Sequence, residues 1–473
     1  MEALQSIGEA PQIGSIVETL GGPDVAQIFL HGYTSQPNLA ALARYTSGWE
    51  RFPERALVLA RPHDVVCVTD PVEPEYHAFL ADLGLGVPAD RILVLNADGR
   101  HSAETPLAQQ LATNASARAQ LRQLLAQSSQ VVLNSYIYAE PEDSLARLLE
   151  RELGQSIHGL GNSRLLIDLI NQKHFVRSIA QELGLPVAEG VVVALQPSGS
   201  ELDVTRLEAA IRDHLPQTGR VIVRGTCGAS GSSTIVVDDY ELSVRQALRE
   251  VARRRDNQLY LVDVMHRVEC SPNVGIFLDP HGGSPRCISI ADQRLDENCH
   301  HLGGALPSRA TLLREMVDAA CTFGRWLAEH GVTGYIGFDF CERREAKTGH
   351  ADFFLAEVNP RINGATYSKG LMDALNAHKN RPIEAFLTTK IATKARSFAA
   401  FRDVYGHLLY DVESGKGILP YNTGCLLHGQ CTVAMLGRSM AEVESISAQF
   451  LEELAREQPL AEPENTFVQV RAA

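Results

Sequence analysis

The chain has 473 residues, 45% hydrophobic and 21% charged, which describes a globular protein of two or three domains and not a disordered one. A formal net charge of -14 leaves no basic stripe for a phosphate backbone and argues against nucleic acid as a partner. Nine cysteines, scattered without a CxxC pair, argue for a reducing compartment and against a disulfide framework or a zinc site.

The opening MEALQSIGEAPQIGS carries acids where a signal peptide needs a basic start, and no stretch approaches the length of a membrane span. The expectation is a cytoplasmic protein with no membrane contact. Through the first third, apolar runs alternate with helical patterns: AQIFLHGY, ALVLA at 56–60, DVVCVTD at 64–70, a helical EYHAFLADLGLG, RILVLN at 91–96, a helix over 105–127 and QVVLNSY at 130–136. Short continuous apolar strands separated by helices predict a parallel sheet covered on both faces. No GxGxxG follows a strand, so the pattern gives no dinucleotide site.

From about 156 the texture changes. NSRLLIDLINQKHFVRSIAQELGLPV predicts one long amphipathic helix closed by Gly184 and Pro186. A strand at 191–194 follows, then a helix at about 203–213, the segment VIVRGTCGASGSSTIVV, a helix at 241–255 and the strand LYLVDVM. Strands then dominate until a helix at 311–331, followed by YIGFDFCER and FFLAEVN. Beyond 376, GILPYNTGCLLHGQCTVAML reads as a strand pair before a last helix near 439–456.

Two constellations carry chemistry. In YIGFDFC and FFLAEVN, period two places Ile336, Phe338 and Phe340 on one face and Asp339 on the other, and puts Phe353, Leu355, Glu357 and Asn359 on a common face. Joined as a hairpin turning near Thr348 and Gly349, the strands set Asp339 opposite Glu357, with Asn359 one step along. Opposed carboxylates repel. They become favourable around a hard cation, since two carboxylates and an amide suit Mg²⁺ bridging to phosphate oxygens. The second constellation is RGTCGASGSS, residues 224–233, a Gly-rich hairpin loop whose backbone N–H groups and hydroxyls can close over phosphates, without the GK[ST] of a Walker loop. Arg224 opens that loop, and Lys173 adds a second cation for phosphate. The backbone at Val264–His266 can pair with an adenine edge, and Glu269 can take ribose hydroxyls.

The ordered set of Lys173, Arg224 with its Gly-rich hairpin, an acidic hinge and then D...ExNPRxNG resembles the ATP-grasp superfamily of carboxylate-amine ligases. The match covers about 156–375 and is most specific at GFDF and EVNPRINGATY. RALVLARPHDVVCVTDPVEPEYHAFLADLGLG resembles a pre-ATP-grasp domain, and GKGILPYNTGCLLHGQC resembles the C-terminal region of pheganomycin-type peptide ligases. The resemblance implies a mixed α/β (α+β) protein with an N-terminal Rossmann-like domain at 1–155. A two-lobed ATP-grasp fold with antiparallel sheets would follow, its small lobe at 156–262 and its large lobe, holding the metal site, at 263–375. A C-terminal region at 376–473 would pack on the large lobe.

The resemblance also implies roles. Lys173 and Arg224 hold ATP phosphates, with Gly228, Ser230, Gly231, Ser232 and Ser233 covering them. Asp263, Val264, Met265, His266 and Glu269 hold adenosine. Asp339, Glu357 and Asn359 ligate Mg²⁺, two ions with Mn²⁺ able to substitute. Arg361 stabilises the phosphoryl group in transit, and Asn363 and Gly364 line the acceptor end. Arg294 and His301, with His300, are candidate substrate contacts from the loop QRLDENCHHLGG. Arg224 stands where the family usually has lysine, and Asp263 where it often has glutamate; arginine keeps the charge and adds a planar fork. The implied activity is amide formation through an acyl phosphate, releasing ADP and phosphate. Substrates are small-molecule carboxylates and amines, such as amino acids or small peptides in natural-product biosynthesis, and the assembly a homodimer. Alternatives are a ligase loading an amino acid onto a carrier protein, or a nucleotide-binding regulator without turnover.

Overall fold

The structure is a computed structural model that describes residues 11–35, 48–97, 99–102, 104–161, 164–198, 201–227, 233–254, 258–344, 348–377 and 382–457. Apolar strands β1 (Val25–Leu30), β2 (Val65–Val68), β3 (Ile92–Val94), β4 (Gln130–Ser135) and β5 (Ile157–Leu160) form a parallel sheet in the order β3-β2-β1-β4-β5. Their alternate residues enter two different cores. Ile28, Leu30, Val65 and Cys67 meet helices α2 (Leu107–Thr113), α3 (Ala115–Leu125) and α4 (Glu140–Leu153), whereas Phe29, Val66 and Val68 meet α1 (Pro74–Asp82) and a 3-10 segment at Trp49–Val58. Burial on both faces is why these strands read as unbroken apolar runs.

Two expectations fail here. ALVLA is no strand: Ala56, Leu57 and Val58 end the buried 3-10 segment. A five-residue apolar run does not separate a strand from a buried helical turn by periodicity. The helix expected over 105–127 divides at Asn114, whose side chain accepts from the Ala117 N–H at 2.9 Å and caps α3.

The next part of the chain carries α5 (Arg164–Ile170), α6 (Lys173–Glu182), β6 (Gly190–Ala194), a small hairpin of β7 (Gln196–Ser198) and β8 (Glu201–Asp203), α7 (Thr205–Thr218), β9 (Arg220–Gly225), β10 (Thr234–Asp238), α8 (Glu241–Arg253) and β11 (Leu259–Val264). The single long helix expected from residue 162 is instead α5 and α6. It breaks because the Lys173 N–H donates to the Thr226 carbonyl at 3.0 Å, which starts a new helix against the Gly-rich hairpin. Strands β10-β9-β11-β6 form an antiparallel sheet, and α7 and α8 cover one face through Leu207, Ile211, Val244 and Val251.

Beyond it lies a nine-stranded sheet. It contains β12 (Val268–Cys270), β13 (Pro272–Leu278), β14 (Arg286–Leu295), β15 (His301–Leu306), β16 (Gly334–Arg344), β17 (Ala351–Asn359), β18 (Ala385–Ala392), β19 (Gly417–Tyr421) and β20 (Gln430–Gly437). Helix α9 (Leu313–Glu329) lays Met316, Ala320 and Phe323 against Val274, Ile336 and Phe338. Helix α10 (Gly364–Asn376) follows β17. The expected strand pair after 376 is β19 and β20, which with β18 extend the large sheet past β15, while α11 (Phe398–Tyr405) and α12 (Met440–Glu457) pack beside them. Among the described residues, no helix is long and apolar enough to cross a membrane.

The N-terminal segment is tied to this C-terminal extension by a buried acid. Glu54 accepts from Thr423 Oγ1 at 2.6 Å and from the Gly424 N–H at 3.1 Å, and burial raises its pKa. Thr423→Val leaves that carboxylate short of a donor and should cost about 1–3 kcal/mol, read as a fall in the urea midpoint at neutral pH.

Candidate active site

The register of β16 and β17 builds the centre of the site. Asp339 lies opposite Glu357, as the spacing predicts, and Asn359 lies opposite Gly337. The next pair is Phe340 with Leu355, so Ala356 is an extra residue on β17, a β-bulge. The bulge resets the alternation of the strand. Leu355 and Val358 both enter the core with Phe338 and Phe340, and Glu357 and Asn359 go to the opposite face with Asp339. The expectation that Phe353 and Leu355 share a face with Glu357 and Asn359 is corrected accordingly: strict alternation cannot anticipate an inserted residue.

Asp339 is held by amides. Asn273 Nδ2 donates to Oδ1 at 2.6 Å and Asn359 Nδ2 to Oδ2 at 2.8 Å, while Asn363 Nδ2 donates to Asn273 Oδ1 at 3.1 Å. This ladder crosses the strand at Gly337, where a Cβ would stand 2.2 Å from Asn363 Nδ2, so glycine is required by the close approach. Burial, and then the Glu357 carboxylate, push the Asp339 carboxyl up from 3.8 to about 7. Glu357 is itself met by Lys173 Nζ at 3.4 Å. Lys173 is buried in the first turn of α6. Among the described residues no group of three or more His, Cys, Asp and Glu side chains converges as a metal site. Two carboxylates and an amide are nevertheless the hard oxygen donors that suit Mg²⁺ when phosphate oxygens complete the set.

Arg224 links the two sheets. One arm donates to Asp263 at 2.6 Å within its own sheet, and the other donates to the carbonyl of Ala356, the bulge residue, at 3.1 Å. Asp263 is fully buried and takes a second arginine, Arg177, from α6. Its carboxylate is thus engaged by two guanidiniums, and the sequence reading of Asp263 as an adenosine contact gives way to an anchor for Arg224. Arg177 was missed, although Lys173 and Arg177 at i and i+4 on one helix signal a shared face. Asn273 was missed as well; nothing in SPNVG distinguishes it.

Between the four-stranded sheet and the large sheet runs a cleft of about 1220 Å³. Arg224, Asp263, Val264, Met265, His266, Glu269 and Arg294 all line it. The N–H groups of Val264 and Met265 are already bonded, to Glu189 O at 2.8 Å and Arg220 O at 3.1 Å, so they are not available to an adenine edge. Ser233 is buried and donates to Gly225 O at 3.3 Å, closing the base of the Gly-rich hairpin. Gly228, Ser230, Gly231 and Ser232 lie outside the described residues.

A third group gathers at the N-terminus of α10. Asn363 caps it, accepting from Thr366 N–H at 3.1 Å. His301 Cε1 lies 3.8 Å from where a Cβ of Gly364 would be, and burial lowers the His301 pKa to about 4. Arg361 lies over the ring of Tyr136 from the N-terminal sheet, 5.9 Å from its centroid. Arg294 donates to Thr388 O at 3.4 Å. His300 is instead bound to Asp296 at 2.9 Å and serves its own loop.

Residues 53–150 match the family Pre ATP-grasp domain. No curated protein matches the chain in sequence. Among solved structures, an ADP complex of N5-carboxyaminoimidazole ribonucleotide synthetase is similar at a TM-score of 0.50 and 14% identity, over 92% of this chain and 97% of that one. The Staphylococcus aureus N5-carboxyaminoimidazole synthetase with ADP is similar at 0.50 and 10%, over 92% and 98%. The Aspergillus clavatus N5-carboxyaminoimidazole synthase with ADP and 5-aminoimidazole ribonucleotide is similar at 0.50 and 12%, over 92% and 100%. The fold is a pre-ATP-grasp domain followed by an ATP-grasp fold. At these identities the likeness is one of fold, and the mixed parallel and antiparallel sheets of the ATP-grasp architecture are those expected from the sequence.

Two outcomes follow for these buried acids. Asp263→Ala leaves Arg177 and Arg224 as buried cations without an acid and should destabilise the protein by about 3–5 kcal/mol in denaturant titration. Asp339 holds its proton more tightly folded than unfolded, so its share of metal-free stability is complete below pH 3.8 and is lost as pH rises to about 7. Asp339→Asn should therefore raise the melting temperature of metal-free protein at pH 8 relative to the wild type, with the difference shrinking towards pH 4.

Proposed function

We propose that the protein is an ATP-dependent ligase that joins a carboxylate to an amine through an acyl phosphate and releases ADP and phosphate. The observation that carries the reading is the opposition of Asp339 and Glu357 across one strand pair, with Asn359 beside them and the cations Lys173, Arg224 and Arg361 around them. The ATP-grasp fold and the ADP held by similar structures support a nucleotide in the cleft.

The donor set fits Mg²⁺, held by Asp339, Glu357 and Asn359. Bound there, the metal supplies positive charge to the phosphate oxygens as the phosphoryl group moves. The chain does the rest by positioning. Lys173 and Arg224 meet the phosphates, and Asp263 keeps Arg224 aimed across the cleft. The substrate carboxylate attacks the γ-phosphorus, ADP leaves, and Arg361 neutralises the acyl phosphate. The amine then attacks the acyl carbon, phosphate leaves, and the amide forms. No side chain has to serve as a covalent nucleophile; Cys227, in the Gly-rich hairpin, is a small loop residue in this scheme. Arg294 and His301 contact substrate, and Asn363 and Gly364 line the acceptor end. Amino acids and small peptides of natural-product biosynthesis are the proposed substrates, as for pheganomycin-type peptide ligases.

The test is ADP release across pairs of carboxylates and amines. The ligase reading expects release that needs both members of a pair. ATP binding without release for any pair would leave a nucleotide-binding regulator instead. With an active pair in hand, Glu357→Gln should lower turnover more than tenfold while the melting temperature stays within a few degrees of the wild type.

A further inference from the structure

Arg55 is a buried cation without an acid. It belongs to the 3-10 segment Trp49–Val58, retains 9% of its surface and, among the described residues, has no carboxylate in ion-pair contact. Nε donates to the Phe52 carbonyl at 3.3 Å, and among the described residues Nη2 is buried with no hydrogen-bond partner. Four rings surround the guanidinium, with centroids 4.5 Å away for Tyr367, 4.8 Å for Tyr33, 4.9 Å for Phe52 and 5.6 Å for Tyr136. Rings attract a cation but supply no hydrogen-bond acceptor in the plane of the fork. In a chain of net charge -14, a buried arginine with no acid in contact among the described residues calls for a reason.

The position supplies one. Tyr367 is in the first turn of α10, and Tyr136 carries Arg361 at 5.9 Å on the same ring that faces Arg55. Arg55 and Arg361 thus flank one tyrosine at the acceptor end, and Arg55 is not among the residues that line the cleft between the two sheets. We propose that Arg55 binds the free carboxylate of an amino-acid or peptide substrate whose reacting group faces Arg361. The planar fork matches a carboxylate in two parallel hydrogen bonds, and the tyrosine rings pack on the apolar stem of the substrate. The proposal rests on the ligase reading for the reaction and adds the substrate class: one partner carries a carboxylate that takes no part in bond formation.

The experiment reads binding rather than turnover, so that it can fail while ATP-dependent ADP release stands. Free L-amino acids and dipeptides, their C-terminal amides, and ribose 5-phosphate are titrated into full-length wild type and Arg55→Met, and the melting temperature is recorded. At least one free acid should stabilise the wild type with an apparent Kd tenfold or more below that of its amide, and Arg55→Met should abolish the preference while leaving ATP affinity within twofold. Arg55→Lys, which keeps the charge without the fork, should restore part of the preference; if Met at 55 prevents folding, this variant and Arg55→Gln carry the comparison. A preference for acids that survives loss of Arg55, no acid bound at all, or an Arg55-dependent shift with ribose 5-phosphate alone overturns the assignment.

Discussion

Two acids facing each other across a strand pair set the terms for everything around them. Asp339 and Glu357 are opposed in register, and neither repulsion nor burial favours two charges there. The surroundings answer with amides on Asp339 and a lysine on Glu357, so the pair persists with one carboxyl close to neutrality in the absence of a cation. Such a site is poised: its electrostatic cost falls as soon as positive charge enters. The bulge at Ala356 makes the arrangement compatible with a core, since it lets one strand give Leu355 and Val358 to the interior and Glu357 and Asn359 to the face that carries Asp339.

Ala356 also receives the four-stranded sheet. Its carbonyl accepts from Arg224, which is steadied by Asp263, and Asp263 is steadied in turn by Arg177. Buried carboxylate and guanidiniums of this kind contribute little net stability but fix geometry, because any one of them left alone would be expensive. The consequence is a guanidinium that bridges the two walls of the cleft beside the opposed acids. At the first turn of α10, Tyr367 and, from the pre-ATP-grasp domain, Tyr136 bring Arg55 and Arg361 together, and none of these four lines that cleft.

Much of this was legible in the sequence, and the parts that were not share a physical character. The parallel sheet, the Gly-rich hairpin and the register of Asp339 with Glu357 follow from periodicities and turn residues that the chain displays locally. ALVLA failed because a short buried run looks the same in either conformation. The long helix failed because its break is imposed from outside, by a carbonyl of Thr226. Arg177, Asn273 and Arg55 act through partners tens or hundreds of positions away, so their roles exist only once the tertiary structure has formed. Asp263 belongs with them: its two arginine partners, Arg177 and Arg224, lie 86 and 39 positions away.

The extension of the large sheet by β18, β20 and β19 bears on how the protein is made. β15 borders β18, and β18 borders β20, which ends at residue 437. A ribosome releases the chain from its N-terminus, so the strands bearing Asp339 and Glu357 emerge well before the ones that complete their sheet. Until then β15 offers an unpaired ladder edge to whatever lies nearby. Synthesis of the stretch from β17 to β20 is therefore the interval in which this fold is most exposed to joining the wrong strand, and a chaperone or a brisk elongation rate would matter most there.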